Sequence, residues 1–250
     1  MTEEKGFKYI EKGSGETLVL LHGLFGALSN FTNVIDYFSK NYKVVFPFLP
    51  LYDFPLKDST VTGMVKYVSD FMELKGYKNI NILGNSLGGH IAQVYALDNL
   101  DNVNSLILTG SSGLFENSLG DGYPNKESKD YIKKKTEFTF YDPKNATDEL
   151  VDEVFETVNN RQKAIRVITM AKSAIRHNLR DELKKLKMPV KLIWGKNDTI
   201  TPPFVAEEFF KLLPNADLEF IDKCGHAAMM ERPEVFNTIL ESFLNSLYKK

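Results

Sequence analysis

Gly84-Asn85-Ser86-Leu87-Gly88 sets a serine midway between two glycines, after a short apolar run and ahead of a helical pattern. This is the G-x-S-x-G turn, in which a strand passes sharply into a helix with the serine at its crest. The turn strains the serine backbone and crowds the positions two residues to either side, so 84 and 88 must lack bulky side chains. It also points the helix N-terminal N–H groups and positive dipole end at the serine, an environment that favours a developing oxyanion. The chemistry expected is nucleophilic attack by Ser86. A serine helix cap followed by packing glycines is the plainer alternative.

A serine hydroxyl is a weak nucleophile and needs a base that a third group orients. The chain has four histidines, His22, His90, His177 and His226. His226, in Cys224-Gly225-His226 between the last predicted strand and the last helix, is the expected base. His90 lies one turn down the helix from Ser86, away from the hydroxyl, and reads as structural. His177, among charged residues, reads as solvated, and His22 ends a strand before Gly23. The acid expected to orient His226 is Asp198, in Trp194-Gly195-Lys196-Asn197-Asp198, which completes the chain order Ser, Asp, His. Asp222 and Asp53 are its rivals. Cys224 reads as a small buried filler.

Acyl transfer also needs two donors for the tetrahedral oxyanion. Leu87 N–H, directly after the serine, supplies one, and Leu24 N–H in His22-Gly23-Leu24-Phe25-Gly26 supplies the other. A plain glycine turn is the alternative for that loop.

The elements that must carry these residues follow from apolar periodicity. Thr17–His22, Tyr42–Phe48 and Asn79–Gly84 read as buried parallel strands, with helices over Asn30–Ser39 and Val61–Lys75 between them. The alternation continues through a helix after Ser86 and strands at Val103–Thr109, Val190–Trp194 and Asp217–Ile221. Helices are expected at Pro203–Leu213 and Pro233–Leu247, and Phe7–Glu11 reads as an edge strand. The expectation is an α/β fold with a doubly wound, mostly parallel sheet. From Leu114 to Lys187 the strand signal gives way to a turn at Gly120-Asp121-Gly122 and helical patterns at Lys126–Phe138, Asp148–Asn159 and Gln162–Ile175. The expected division is a core of residues 1–113 and 187–250 with a helical cap, 114–186, over the C-terminal edge of the sheet, where open α/β sheets bind ligands. Phe115, Phe138, Phe140, Val154, Phe155, Ile168 and Met170 from the cap, with Phe25 and Met229, are candidates to line a substrate pocket; packing of helix on helix is the competing reading.

Composition excludes several classes. The 250 residues carry 31 basic and 33 acidic side chains, a net charge of −2, spread without a basic surface for nucleic acid. The one like-charge cluster, Lys133-Lys134-Lys135, reads as a solvated helix face. A single cysteine and an N-terminus without an apolar stretch favour the cytoplasm, and the longest apolar run falls short of the ~20 residues that cross a bilayer. No His-Glu-x-x-His or paired-cysteine spacing suggests a metal. The expected partner is a small-molecule substrate, with no cofactor, no membrane and no nucleic acid, for a monomer or homodimer.

Through His22-Gly23, the turn at Ser86, Gly195-x-x-Asp198 and Gly225-His226, the chain resembles the α/β-hydrolase superfamily over nearly its whole length. The resemblance implies Ser86 as nucleophile, Asp198 as acid, His226 as base, Leu24 and Leu87 as oxyanion donors, and a cap between strands six and seven. Gly84 to Gly89, and Cys224-Gly225-His226 with Glu231 and Phe236, are similar to meta-cleavage-product hydrolases, which break carbon–carbon bonds. That family usually has a tryptophan after the histidine, where Ala227 stands here, and the loop Leu24-Phe25-Gly26 is more like small carboxylesterases. The resemblance therefore implies hydrolysis of a carboxylic ester or thioester of a small, moderately apolar substrate. The alternatives are carbon–carbon hydrolysis and, in another class, a small-molecule receptor that keeps the triad.

Overall fold

The computed structural model describes residues 1–25, 31–115 and 123–248. Gly26, Asn30 and the Gly120-Asp121-Gly122 turn lie outside them. Eight strands form one sheet: β1 (Thr2–Glu4), β2 (Phe7–Lys12), β3 (Thr17–Leu21), β4 (Lys43–Pro47), β5 (Ile80–Asn85), β6 (Val103–Thr109), β7 (Val190–Gly195) and β8 (Ala216–Ile221). Their spatial order is β1-β2-β4-β3-β5-β6-β7-β8. Only the β1–β2 and β2–β4 pairs are antiparallel. The expected edge strand at the N-terminus is present, and β1 pairs outside it as a strand that the apolar pattern did not mark.

Helices α1 (Thr32–Phe38), α2 (Val61–Lys75), α3 (Leu87–Asp98), α7 (Pro203–Leu212), α8 (Ala228–Glu231) and α9 (Pro233–Tyr248) cover the sheet. Successive strand side chains point to opposite faces, so Val19 and Leu21 of β3 join the core under α2, α3 and α7, while Leu18 and Leu20 join the core under α1 and α9. That double burial explains the unbroken apolar run in β3.

Between β6 and β7 the chain leaves the sheet through α4 (Lys129–Glu137), α5 (Asp148–Asn159) and α6 (Arg161–Arg176). Each begins on a side chain that takes up a first-turn N–H group: Ser128 accepts from Tyr131, Thr147 from Leu150, and Asn160 from Gln162 and Lys163. Leu150, Val151 and Val154 of α5 enter one core and Val167, Met170 and Ala174 of α6 the other. Ser173 Oγ accepts from Val61 N–H at 3.1 Å, and Arg166 Nε donates to Phe54 O at 2.7 Å, so α6 is tied to the sheet domain at both ends of the α2 approach.

The strand order dictates where a site forms. From β3 the chain adds β4 on one side, then crosses over to add β5 on the other, so the crossovers diverge at the carboxyl ends of β3 and β5. Open α/β sheets bind ligands in the crevice at such a switch point. The segments leaving those two ends are His22-Gly23-Leu24 and Ser86-Leu87. Among the described residues, no helix is long and apolar enough to cross a membrane.

Candidate active site

Ser86 joins β5 to α3 with φ 54° and ψ −121°, a conformation that L residues rarely adopt. Its carbonyl is held by N–H groups of Gly89 at 3.0 Å, His90 at 3.2 Å and Ser112 at 3.2 Å, and its own N–H donates to Thr109 O at 3.1 Å. Its hydroxyl caps no helix N–H, so the helix-cap reading of this serine does not hold. The glycine requirement is steric. A Cβ on Gly84 would sit 2.4 Å from Gly88 O, and one on Gly88 would sit 2.1 Å from Leu21 O. The turn is thus pressed against both itself and β3.

Asn85, beside the serine, reaches sideways: its Nδ2 donates to Thr109 O at 3.0 Å and to His226 O at 3.4 Å. The loop that carries His226 is held again by Thr139, whose carbonyl accepts from His226 N–H at 2.9 Å. His226 Nδ1 lies 2.9 Å from Asp198 Oδ2. The Asp198 side chain is 0% exposed, yet every direction in which it accepts is used: Oδ1 by the N–H groups of Ile200 and Thr201 at 2.9 Å, Oδ2 by the Thr201 hydroxyl at 2.8 Å. A buried carboxylate needs such donors to offset its desolvation. The rivals stand elsewhere: Asp53 is exposed, and Asp222 faces solvent with Lys196 at 3.6 Å.

The loop after β3 is set by His22. Leu49 N–H donates to its Nε2 at 3.0 Å, which leaves the ring proton on Nδ1 to donate to Gly23 O at 2.9 Å. Complete burial pushes the His22 pKa down to about 4, so it stays neutral and keeps that tautomer near neutral pH. Tyr52 OH donates to Leu24 O. No described residue accepts from the Leu24 N–H. Leu87, as the first residue of α3, has an N–H with no acceptor inside the helix. Gly23 lies so close to the elbow that an added Cβ would be 3.2 Å from Ser86 Cβ.

These segments wall a cavity of about 150 Å³ onto which Ser86, His226, Leu24 and Phe25 open. Of the pocket candidates, Phe138, Phe140 and Val154 also line it. Phe115, Phe155, Ile168, Met170 and Met229 do not. Phe115 packs edge-on against Phe204 of α7, with ring centroids 5.6 Å apart. Phe155, one position beyond Val154, is rotated about 100° around α5 and packs into the neighbouring core. Met229 is fully buried in that same core. Sequence reasoning missed Tyr123, Lys135, Thr139 and Ile200 on the wall. Lys135 is half-buried there, whereas Lys133 and Lys134 are exposed as expected of a solvated face. Its one available signal was position, since Lys135 adjoins the inward-facing series Ile132, Thr136, Thr139.

The other two histidines form a pair away from the cavity. His90 Nε2 is 3.1 Å from His177 Nδ1, and burial with the neighbouring ring lowers the His90 pKa to about 3. His90 is structural as expected, but His177 is half-buried rather than solvated, because α6 ends against α3. Cys224 is fully buried and its thiol is pushed up to about 12, which removes it as a nucleophile. Among the described residues, no three His, Cys, Asp or Glu side chains gather as metal ligands.

Comparison with known proteins places this geometry in context. The family model described as the alpha/beta hydrolase fold matches residues 16–233. The structure is similar to MGS-MChE2, an alpha/beta hydrolase enzyme from the metagenome of sediments of the Mar Chica lagoon, Morocco, with a TM-score of 0.82 and 46% identity over 98% of this chain and 97% of that one. A 2-hydroxy-6-oxononadienedioate/2-hydroxy-6-oxononatrienedioate hydrolase of Burkholderia vietnamiensis is 30% identical over 94% of this chain and 90% of its own length. Monoacylglycerol lipase ABHD6 of Bos taurus is 27% identical over 94% of this chain and 77% of its own length.

Proposed function

The chain belongs to the α/β-hydrolase fold family, and on that footing we propose that it is a serine hydrolase that cleaves a carboxylic ester or thioester of a small substrate. Ser86 Oγ attacks the acyl carbon while His226 takes its proton, and Asp198 orients the ring and stabilises the imidazolium. The oxyanion is received by the Leu24 and Leu87 N–H groups. His226 then protonates the leaving alcohol or thiol, and water, activated by the same histidine, releases the acid from Ser86. Every proton finds a place on the chain or on water, so the proposal includes no cofactor.

The observation that carries this reading is the conjunction on one cavity of the strained Ser86 with a histidine bound at 2.9 Å to a fully buried carboxylate. Support for a small acyl group comes from volume, since about 150 Å³ is the size of an engineered cavity that takes up benzene. We assign α4 to α6 the role of a cap over the site, which agrees with Phe138 and Val154 on the cavity wall. The buried single thiol suits a cytoplasmic enzyme.

Carbon–carbon hydrolysis by the same groups is the second reading, favoured by the similarity to the Burkholderia hydrolase. Turnover of alkyl and nitrophenyl esters, a thioester and a vinylogous diketone by wild type and Ser86→Ala separates the readings. Ester turnover that disappears in the variant is expected. Turnover of the diketone alone would favour the second reading, and saturable binding without any turnover would point to a receptor.

A further inference from the structure

The cavity that holds Ser86 has a cation on its wall. Lys135, on α4, is half-buried in its wall, with Nζ 5.8 Å from the centre of the Tyr123 ring. Two other lysines of the same helix are matched to carboxylates of α5, Lys129 to Asp152 and Lys133 to Asp148 at 3.7 Å. Lys135 has no carboxylate within ion-pair distance among the described residues. It is the one lysine, arginine, aspartate or glutamate among the described residues of the wall. Two of the nearby hydroxyl protons are already committed, that of Thr136 to Ile132 O at 2.9 Å and that of Thr199 to Phe138 O at 2.8 Å. Among the described wall residues, Lys135 supplies a charged group with strong donors.

A cation facing a small, largely apolar chamber raises the affinity of an anion there far more than it would in open water, because screening is weak. The anion must be small and singly charged. One ammonium offers three donors at a single point, whereas a phosphate dianion is usually met by several donors or a planar arginine fork. A carboxylate fits both the donor count and the volume.

We propose that Lys135 binds a carboxylate of the substrate, so that the enzyme acts on esters carrying a free carboxyl group on the acyl or the alcohol side in preference to neutral esters. The assignment rests on the hydrolytic reading of Ser86 given above. It makes Lys135 a specificity-determining residue that does no chemistry at the reacting bond.

The test is the ratio of kcat/KM for charged and neutral isosteres, followed by proton release. Methyl hydrogen glutarate against methyl 5-methylhexanoate probes the acyl side, and carboxymethyl butyrate against isobutyl butyrate probes the alcohol side. One of the two ratios is expected to be tenfold or more in the wild type and to shrink as ionic strength rises. It should fall at least tenfold in Lys135→Met and invert in Lys135→Glu, while Lys134→Met, altered at an exposed neighbour, keeps the wild-type ratio. Neutral esters preferred on both sides, or a preference that survives in Lys135→Met, would overturn the assignment while leaving the hydrolytic reading intact. If no ester of either charge is turned over, it is the hydrolytic reading that fails. Lys135 is then judged by calorimetric binding of methyl hydrogen glutarate, which must occur in the wild type and vanish in Lys135→Glu for the assignment to stand.

Discussion

The Asp198 carboxylate meets His226 Nδ1 at 2.9 Å, but its orientation does not depend on His226, because Ile200 N–H, Thr201 N–H and the Thr201 hydroxyl already hold both oxygens. The Asp198 carboxylate is pre-set by its own loop at the end of β7, and His226 is brought to it by the loop after β8. Since those two strands are neighbours, a residue pair 28 positions apart becomes a rigid unit.

Replacing Asp198 by Asn therefore has a defined consequence. The two backbone N–H groups will retain the amide oxygen at the Oδ1 position, which turns the amide NH2 towards Nδ1. His226 must then accept at Nδ1 and carry its proton on the nitrogen that should take one from Ser86. A fall in kcat of about 10⁴, the size known for such a tautomer reversal in another triad, is expected with the fold retained. Asp222→Asn, at a solvent-facing site, should leave kcat within about twofold of the wild type. The opposite pattern would move the acid to Asp222.

Strain at the nucleophile predicts a separation of stability from activity. With φ 54° and ψ −121°, Ser86 bears a backbone cost of order 1–3 kcal/mol that glycine would not. Ser86→Gly should raise the unfolding free energy by about 1 kcal/mol after the entropy that glycine adds to the unfolded chain, with activity lost. Ser86→Ala keeps the strain and should gain much less. Equal urea midpoints for the two variants would mean that the turn is not strained.

Glu231 links the histidine loop to the segment between α4 and α5. Its Oε2 accepts from Gly225 N–H at 2.5 Å and its Oε1 from Asp142 N–H at 2.6 Å. Glu231→Ala leaves the Gly225 N–H without its acceptor and the exposed Asp142 N–H to water, a loss of about 1–3 kcal/mol, and should lower kcat because Gly225 immediately precedes His226. Glu231→Gln retains one carbonyl acceptor and should fall between the two. Ranking the three proteins by urea midpoint and kcat checks this; a glutamine variant no better than alanine would discount the shared-acceptor account.

The buried histidines set a pH dependence. Burial holds His22 at a pKa of about 4 and His90 at about 3, whereas both protonate near 6.5 in the unfolded chain. Both pKa values are depressed on folding, so the unfolded state binds the extra protons. Stability is full above about pH 6.5 and declines as pH falls, levelling off near the folded values. Between pH 7 and pH 5 each should remove about 2 kcal/mol, at 1.36 kcal/mol per pH unit below 6.5. Urea unfolding of the wild type should show both contributions, and His22→Asn should show a shallower slope. A flat profile over that interval would contradict burial of the two neutral rings.

The division between what was legible early and what was not follows the range of the interactions. Gly84, Ser86 and Gly88 could be read as an elbow because the clashes that demand those glycines arise within five residues and against the adjacent strand. The central strands β3 to β7 were legible because they are buried on both faces and so are largely apolar. Helix ends were displaced where caps decide them, as at Ser128, whose cap starts α4 at Lys129, three residues past the expected Lys126. Strand β1, with the alternation Thr2-Glu3-Glu4 and an exposed edge position, carried no apolar signal at all.

Residue identity and local turn chemistry thus sufficed for the family, the fold and a short set of side chains that the structure gathers beside one cavity, because steric demands at the elbow and the burial of strand faces act over a few positions. Which wall each side chain faces required the tertiary structure. Lys133, Lys134 and Lys135 look alike along the chain, yet α4 leaves two of them in water and puts the third on the cavity wall. Met229 and Phe155 were drawn into the core by the same packing. Such choices depend on how α4, α5 and α6 settle on a sheet built from distant segments, and no spacing within a single helix encodes that.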